Sequence, residues 1–373
     1  MDFTLQLPRL VAARGAVAAL ADALPHLGVT KPLLVTDPGL VRAGHLERLK
    51  QALDGKSQFA VFSEVPENPT FQGADGALRV YRNERCDSVV ALGGGSVIDT
   101  AKFVAVLATH PGTITDYLGP LSSKIGDAVA PIIAISTTAG TGSDASPDAG
   151  IHPDAISISV GITSRYVIPK LAICDPELTL SLPPRLTAAT GLDAFSHCVE
   201  GYLSTTVNPL ADIFALDGMR RLWSHVEKIT QKGDDIDARL QMLIGSFEGG
   251  VAIGKGLGPA HAIAISCGDQ GLHHGVLSAL GLIASLEFLR DKAPAKIKDV
   301  ERVLELPNGV SVHVALHEMM RRLSLPTSLR ELGYRLGSMK TVTENCAASH
   351  FNLTSPYRPN AGEFQAMLES ILG

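Results

Sequence analysis

Charge is scarce in this 373-residue chain: charged residues make up 19% and aromatics 5%, against 45% hydrophobic. That balance excludes a disordered protein and calls for extensive burial. No basic cluster is present, and a net charge of −6 with a pI near 6.1 argues against nucleic acid as a partner. No uncharged apolar run reaches about 18 residues, so no membrane span is expected. The five cysteines (Cys86, Cys174, Cys198, Cys267, Cys346) are odd in number and form no CxxC pair. This fits reduced thiols in a cytoplasmic protein better than a disulfide framework. The opening MDFTLQLPRL lacks the basic and apolar regions of a secretory signal.

What is present divides in two, as a chain longer than a single core supports should. FTLQL, KPLLVTD, QFAVFSEV, DSVVALGGG, PIIAIS and PKLAICD read as strands, the first five separated by helical patterns. Strand–helix alternation implies a parallel sheet with right-handed crossovers. After Ser181-Leu-Pro-Pro only period-3.6 patterns are read. The expected fold is an α/β domain over residues 1–181 followed by an all-helical domain over 182–373. Clefts between two such domains commonly bind ligands.

Two separated segments carry the chemistry. Asp193-Ala-Phe-Ser-His197 lies in a run that reads as one helix, so Asp193 and His197, four apart, share a face. Such a pair is two thirds of a divalent-metal site, which the later histidines His261 and His274 can complete, although for an isolated DxxxH a buried Asp–His hydrogen bond is the commoner arrangement. His273 is read as a non-ligand, because neighbouring helical side chains diverge by about 100°. In the first half, strand Ser88–Leu92 runs into Gly93-Gly94-Gly95-Ser96 and a helix through Asp99, a backbone able to meet an anion. A tight turn without ligand is the alternative. A second polar glycine loop, Ser136–Ser143, follows PIIAI, and two such loops suit a dinucleotide pyrophosphate. Asp37, ending KPLLVTD, can accept from ribose hydroxyls or cap the turn Asp37-Pro38-Gly39.

Taken together, VTDPGL, Asn68-Pro69-Thr70, GGGSVIDTAK, STTAGTGS, DPELTLSLPPRLTAATGLDAFSHCVEGY and HAIAI…HHG resemble the iron-containing (group III) alcohol dehydrogenases, from about residue 3 to about 335. The resemblance implies an N-terminal dinucleotide-binding domain and a C-terminal helical metal domain, the architecture also found in dehydroquinate synthase. It implies metal ligands Asp193, His197, His261 and His274. It implies NAD(H) contacts at Asp37, Asn68, Gly94, Gly95, Ser96, Asp99, Thr137, Thr138 and Thr141. It favours Fe²⁺ over Zn²⁺, a small alcohol or aldehyde as substrate, and a homodimer. Four departures bear on the substrate pocket. Ile265 stands where many members carry a second histidine of HxxxH, and the segment between His261 and His274 is one residue short. Ser159 replaces a common lysine, and the tail HFNLTSPYRPNAGEF differs from the usual ending.

One carboxylate and three imidazoles leave a divalent ion net positive charge and an open position, hence Lewis acidity toward an alcohol or aldehyde oxygen. The hydride is then exchanged with the nicotinamide. Without a histidine at 265, the proton leaves by bulk water, a cofactor ribose hydroxyl or His273; the first two are preferred, and His273 is the candidate catalytic side chain. Rival readings are a metal- and NAD-dependent lyase or cyclase of the dehydroquinate synthase type, and a non-catalytic binding relative. The lyase needs cations near the ligands, and Lys255 and Arg185 are the nearest in sequence.

Overall fold

A computed structural model describes residues 3–119, 122–154 and 157–373. Its residues fall into two compact units. One holds the described residues of Gln6–Thr138 and Gly142–Leu182; the other holds those before Gln6, Ala139–Thr141 and Pro183–Gly373.

The first unit is built on a six-stranded, all-parallel sheet. Its strands are β1 (Arg9–Ala12), β2 (Pro32–Val35), β3 (Ala60–Phe62), β4 (Ser88–Gly93), β5 (Ile132–Ser136) and β8 (Leu171–Cys174), in spatial order β1-β8-β5-β4-β2-β3. Alternate side chains enter opposite cores: Val89 and Ala91 of β4 pack on one face, Val90 and Leu92 on the other. Both faces are therefore covered, which is why these strands read as continuous apolar runs. The helices here are α1 (Leu20–His26), α2 (Pro38–Arg42), α3 (His45–Leu53), α4 (Phe71–Asn83) and α5 (Gly95–Thr109).

Three details depart from the sequence reading. FTLQL is not a strand: residues 3–8 have no regular structure, and the edge strand β1 begins at Arg9. Alternation without a buried face misled there, since Phe3 and Leu7 are exposed. The amphipathic stretch after Asp37 is two helices, broken where Gly44 takes φ +81. A small antiparallel ribbon of β6 (Asp148–Ile151) and β7 (Val160–Thr163) was not foreseen.

The second unit carries helices α6 (Pro184–Leu203), α7 (Pro209–Gln231), α8 (Ile236–Ile253), α9 (Pro259–Ser266) and α10 (His274–Leu289). They are followed by α11 (Pro294–Val303), α12 (Val312–Arg322), α13 (Leu329–Leu332), α14 (Met339–Ala348) and α15 (Ala361–Ser370). Helix α6 opens with Pro183 as N-cap and Pro184 in its first turn, where a missing N–H is harmless. Sixteen of its residues, beginning at Thr187, are buried, so it forms the centre of the unit and anything polar on it must be satisfied there. Among the described residues no helix is long and apolar enough to cross a membrane.

Candidate functional site

Helix α6 presents Asp193 and His197 on one face, α9 brings His261, and α10 begins with His274. The three imidazole Nε2 atoms surround one oxygen, Asp193 Oδ1, at 3.9 Å (His197), 3.8 Å (His261) and 3.7 Å (His274). Within that set, ligand atoms of Asp193, His261 and His274 all lie within 4.8 Å of one another. The Asp193–His197 separation is too long for a hydrogen bond, which removes the bland reading of the DxxxH pair.

Asp193 Oδ1 and His261 Nε2 are both buried and neither has a hydrogen-bond partner. Two acceptors facing each other in a low-dielectric interior repel unless a cation lies between them. The residues thus fit a divalent ion, and the mixed carboxylate–imidazole set suits Fe²⁺ or Zn²⁺. Burial alone would raise the Asp193 carboxyl, but the surrounding imidazoles of His197, His274 and His261 hold it at about 2. Burial drives His197 down to about 3, so it is neutral and able to ligate at neutral pH. At His261 burial is outweighed by the bond to and charge of Glu200, and the pKa rises. Three of the side chains are 3–6% exposed and His274 is 42% exposed, so the centre is open on the His274 side.

His273 lies outside the helix. It is the N-cap of α10, and its Nδ1 accepts from Gly275 N at 3.2 Å. Its divergence from His274 therefore comes from extended backbone at the cap, and not from the 100° helical step expected. Ile265 does lie one turn beyond His261 on α9, partly exposed. Beside the ligands, Phe351 packs edge-on to His261 at 6.0 Å, which brings the unusual tail segment to the centre. Lys255 is buried and paired with Asp212, so it is not available to grip an anionic substrate, and Arg185 is exposed on the first turn of α6.

In the first unit, β2, β4 and β5 are neighbours, and their carboxyl ends carry Asp37, the loop through Gly94 and the start of the second glycine loop. The two loops are joined by Thr137 N donating to Gly93 O at 3.1 Å. A Cβ on Gly94 would stand 3.0 Å from Thr138 Oγ1, so glycine permits the close approach. Helix α5 starts at Gly95 without a side-chain cap, leaving its opening amides for an anion. Ser96 Oγ donates to Glu67 O at 2.5 Å, tying the exposed Asn68 segment to the loop. Asp37 caps α2, Oδ1 accepting from Gly39 N at 2.7 Å and Leu40 N at 3.0 Å. Gly140 and Thr141 belong to the helical unit, where Gly140 packs on Thr190 of α6.

Asp99 does something the sequence did not show. Its Oδ1 accepts from Ser143 Oγ and its Oδ2 from Gly150 N at 2.8 Å. One turn later Lys102 is fully buried, its Nζ donating to Ser146 O at 2.9 Å and Asp148 O at 2.6 Å. Burial pulls the Lys102 ammonium down to about 8 against the nearby charges of Asp99, Asp148 and Asp144. A lone lysine inside the apolar run TAKFVAVLA was the available signal for such a cluster. Glu200 was likewise missed, although it sits in the same motif as Asp193 and His197.

A parallel-sheet unit with paired glycine loops and a helical unit with a buried Asp–His₃ cluster fit the class of metal- and dinucleotide-dependent enzymes. Residues 8–176 match the family model "Iron-containing alcohol dehydrogenase", and residues 187–372 match "Fe-containing alcohol dehydrogenase family, C-terminal". The chain belongs to the iron-containing alcohol dehydrogenase family and is a metal-dependent oxidoreductase acting on alcohols. It is 43% identical over 368 residues to the 4-hydroxybutyrate dehydrogenase of Cupriavidus necator, covering 95% of this chain and 96% of the relative. It is 32% identical to the NAD-dependent methanol dehydrogenase of Bacillus methanolicus, covering 91% of each. The crystal structure of a 1,3-propanediol oxidoreductase matches with a TM-score of 0.93 at 28% identity over 100% of both chains.

Proposed function

We propose that the chain transfers hydride between NAD(H) and a primary alcohol or its aldehyde, using one divalent ion held by Asp193, His197, His261 and His274, with Fe²⁺ favoured over Zn²⁺. The observation that carries this is the pair of unpartnered buried acceptors, Asp193 Oδ1 and His261 Nε2, 3.8 Å apart. A bound ion would supply Lewis acidity at the substrate oxygen, and a bound nicotinamide would supply the hydride acceptor or donor.

The residues do the rest. His274, the most exposed of the four, faces the side from which a small substrate can approach. Gly94, Gly95 and Ser96 at the start of α5 receive the pyrophosphate, with Thr137, Thr138 and Thr141 from the second loop and Asn68 alongside. Asp99 enters through Ser143 and Gly150, to which its two oxygens are bonded. The capping bonds of Asp37 both go to Oδ1, so the reading gives Oδ2 to the ribose. The proton leaves through solvent or a ribose hydroxyl in preference to His273, whose Nδ1 is engaged as an acceptor and whose neutral ring therefore carries its proton on Nε2. NAD(H) is supported by the NAD-dependent relative, and a primary hydroxyl by the substrates named for the three matches. The same reading places a homodimer in the cytoplasm, with boundaries of the two domains at 1–181 and 182–373. Sizing, fractionation and limited proteolysis test those points.

A panel of primary alcohols with NAD, followed at the nicotinamide absorbance, tests the function. Net NADH formation is expected. No absorbance change with any alcohol, together with elimination chemistry on a phosphorylated substrate, would favour the lyase instead.

A further inference from the structure

Glu200 lies on α6 three residues beyond His197 and seven beyond Asp193, so all three fall on one helical stripe. It is buried and makes three bonds. Oε1 accepts from Ala260 N at 2.8 Å, and Oε2 accepts from His261 N at 3.2 Å and from His261 Nδ1 at 2.6 Å. Helix α9 has no side-chain cap of its own, its N-cap being Gly258, and a Cβ there would stand 2.8 Å from Glu200 Oε1. The start of α9 thus approaches the carboxylate backbone-first.

We propose that Glu200 is the positioning residue of the metal centre, fixing the His261 ring so that Nδ1 keeps the proton and the Nε2 lone pair faces Asp193 Oδ1. The bond itself carries the argument: an ionised carboxylate only accepts, so the ring nitrogen against it is the donor. A helix cap would need only the two backbone bonds. The shortest of the three goes instead to the ring, whose far nitrogen is a buried acceptor without a partner. The carboxylate charge also raises the basicity of that nitrogen toward a cation. The inference rests on the ligand role given to His261 above.

The test is Zn²⁺ binding to metal-stripped protein, competed with a chromophoric chelator, for wild type, Glu200→Gln, His261→Ala and the double variant. Glu200→Gln is expected to bind Zn²⁺ about 10–100-fold more weakly than wild type. In the His261→Ala background the same change is expected to add little, because its effect runs through that ring. Nitrogen-15 NMR of histidine-labelled, metal-free wild type, taken to high enough pH that the ring is neutral and with His261 assigned by its loss in His261→Ala, is expected to show the remaining proton on Nδ1. This readout does not depend on the folding of a Glu200 variant. Wild-type Zn²⁺ affinity in folded Glu200→Gln, with His261→Ala weakened, would reduce Glu200 to a helix cap; so would a neutral His261 ring with its proton on Nε2. Undiminished Zn²⁺ affinity in His261→Ala would remove the ligand reading itself, and this inference with it.

Discussion

Gly275 of α10 runs so close to α6 that a Cβ on it would overlap the carbonyl oxygen of Ala189 and stand 3.2 Å from Asp193 Cβ. This approach sets His274, the preceding residue, against Asp193. Gly275→Ala is therefore expected to destabilise the protein by about 1–3 kcal/mol, as overpacking does, and to lower metal content. Gly268→Ala is the control, since nothing lies within 4 Å of its added methyl. Thermal unfolding and metal analysis of the two variants check this; equal behaviour would remove the role given to Gly275.

The two adjacent histidines are expected to differ in role. His274→Ala is expected to lose most of its metal, whereas His273→Ala keeps it and loses a cap worth about 1 kcal/mol. Metal analysis of both purified variants decides, and equal loss would sink the ligand assignment.

Asp37 governs cofactor choice in the proposed reading, because its carboxylate accepts from a 2′-hydroxyl and repels a 2′-phosphate. Wild type should have a higher kcat/KM with NADH than with NADPH, and Asp37→Gly should narrow the gap. Replacing this N-cap by glycine costs only a few tenths of a kcal/mol, so folding does not obscure the comparison. A wild-type preference for NADPH would leave Asp37 as a cap alone.

Glu248, buried on α8 with Arg221 3.3 Å away, is expected to give the protein a pH-dependent stability. Burial and the neighbouring Asp217 outweigh Arg221 and raise its carboxyl from 4.5 to about 8. The folded state keeps a proton that the unfolded chain releases above its ordinary pKa. The stabilisation is complete below about pH 4.5 and is lost as pH rises to about 8, at up to about 1.4 kcal/mol per pH unit. Glu248→Gln should flatten that slope in melts across this range. An unchanged slope would show that Glu248 is ionised in the fold.

How much of this was legible follows from where each signal resides. The Asp193–His197 pair shows in sequence because helical spacing alone puts the two side chains on one face. The strands β2, β4 and β5 show because double burial makes them unbroken apolar runs. Glu200 and Lys102 did not show as members of a site. Each is a buried charge in a mostly apolar helix, and its partners come from segments distant in sequence: Ala260 and His261 for one, Ser146 and Asp148 for the other. The β6–β7 ribbon was hidden because DAGI and VGIT are four-residue strands with half-buried faces.

Ile265 leaves the turn beyond His261 without a proton carrier. Ile265→His is expected to change the pH profile of kcat more than it changes metal content. His273→Ala should cost well under the 10²–10⁴-fold typical of a general acid–base residue. A loss in that range with metal retained would make His273 the proton carrier.

The account stands most directly on metal-dependent alcohol oxidation. Metal-stripped protein is titrated anaerobically with Fe²⁺ while NADH formation from a primary alcohol is followed. The rate should rise linearly and level off at about one ion per chain, the capacity of one centre of open-site type, and Asp193→Ala should stay inactive at every Fe²⁺ level. Full turnover by the metal-stripped chain, or by Asp193→Ala, would contradict it.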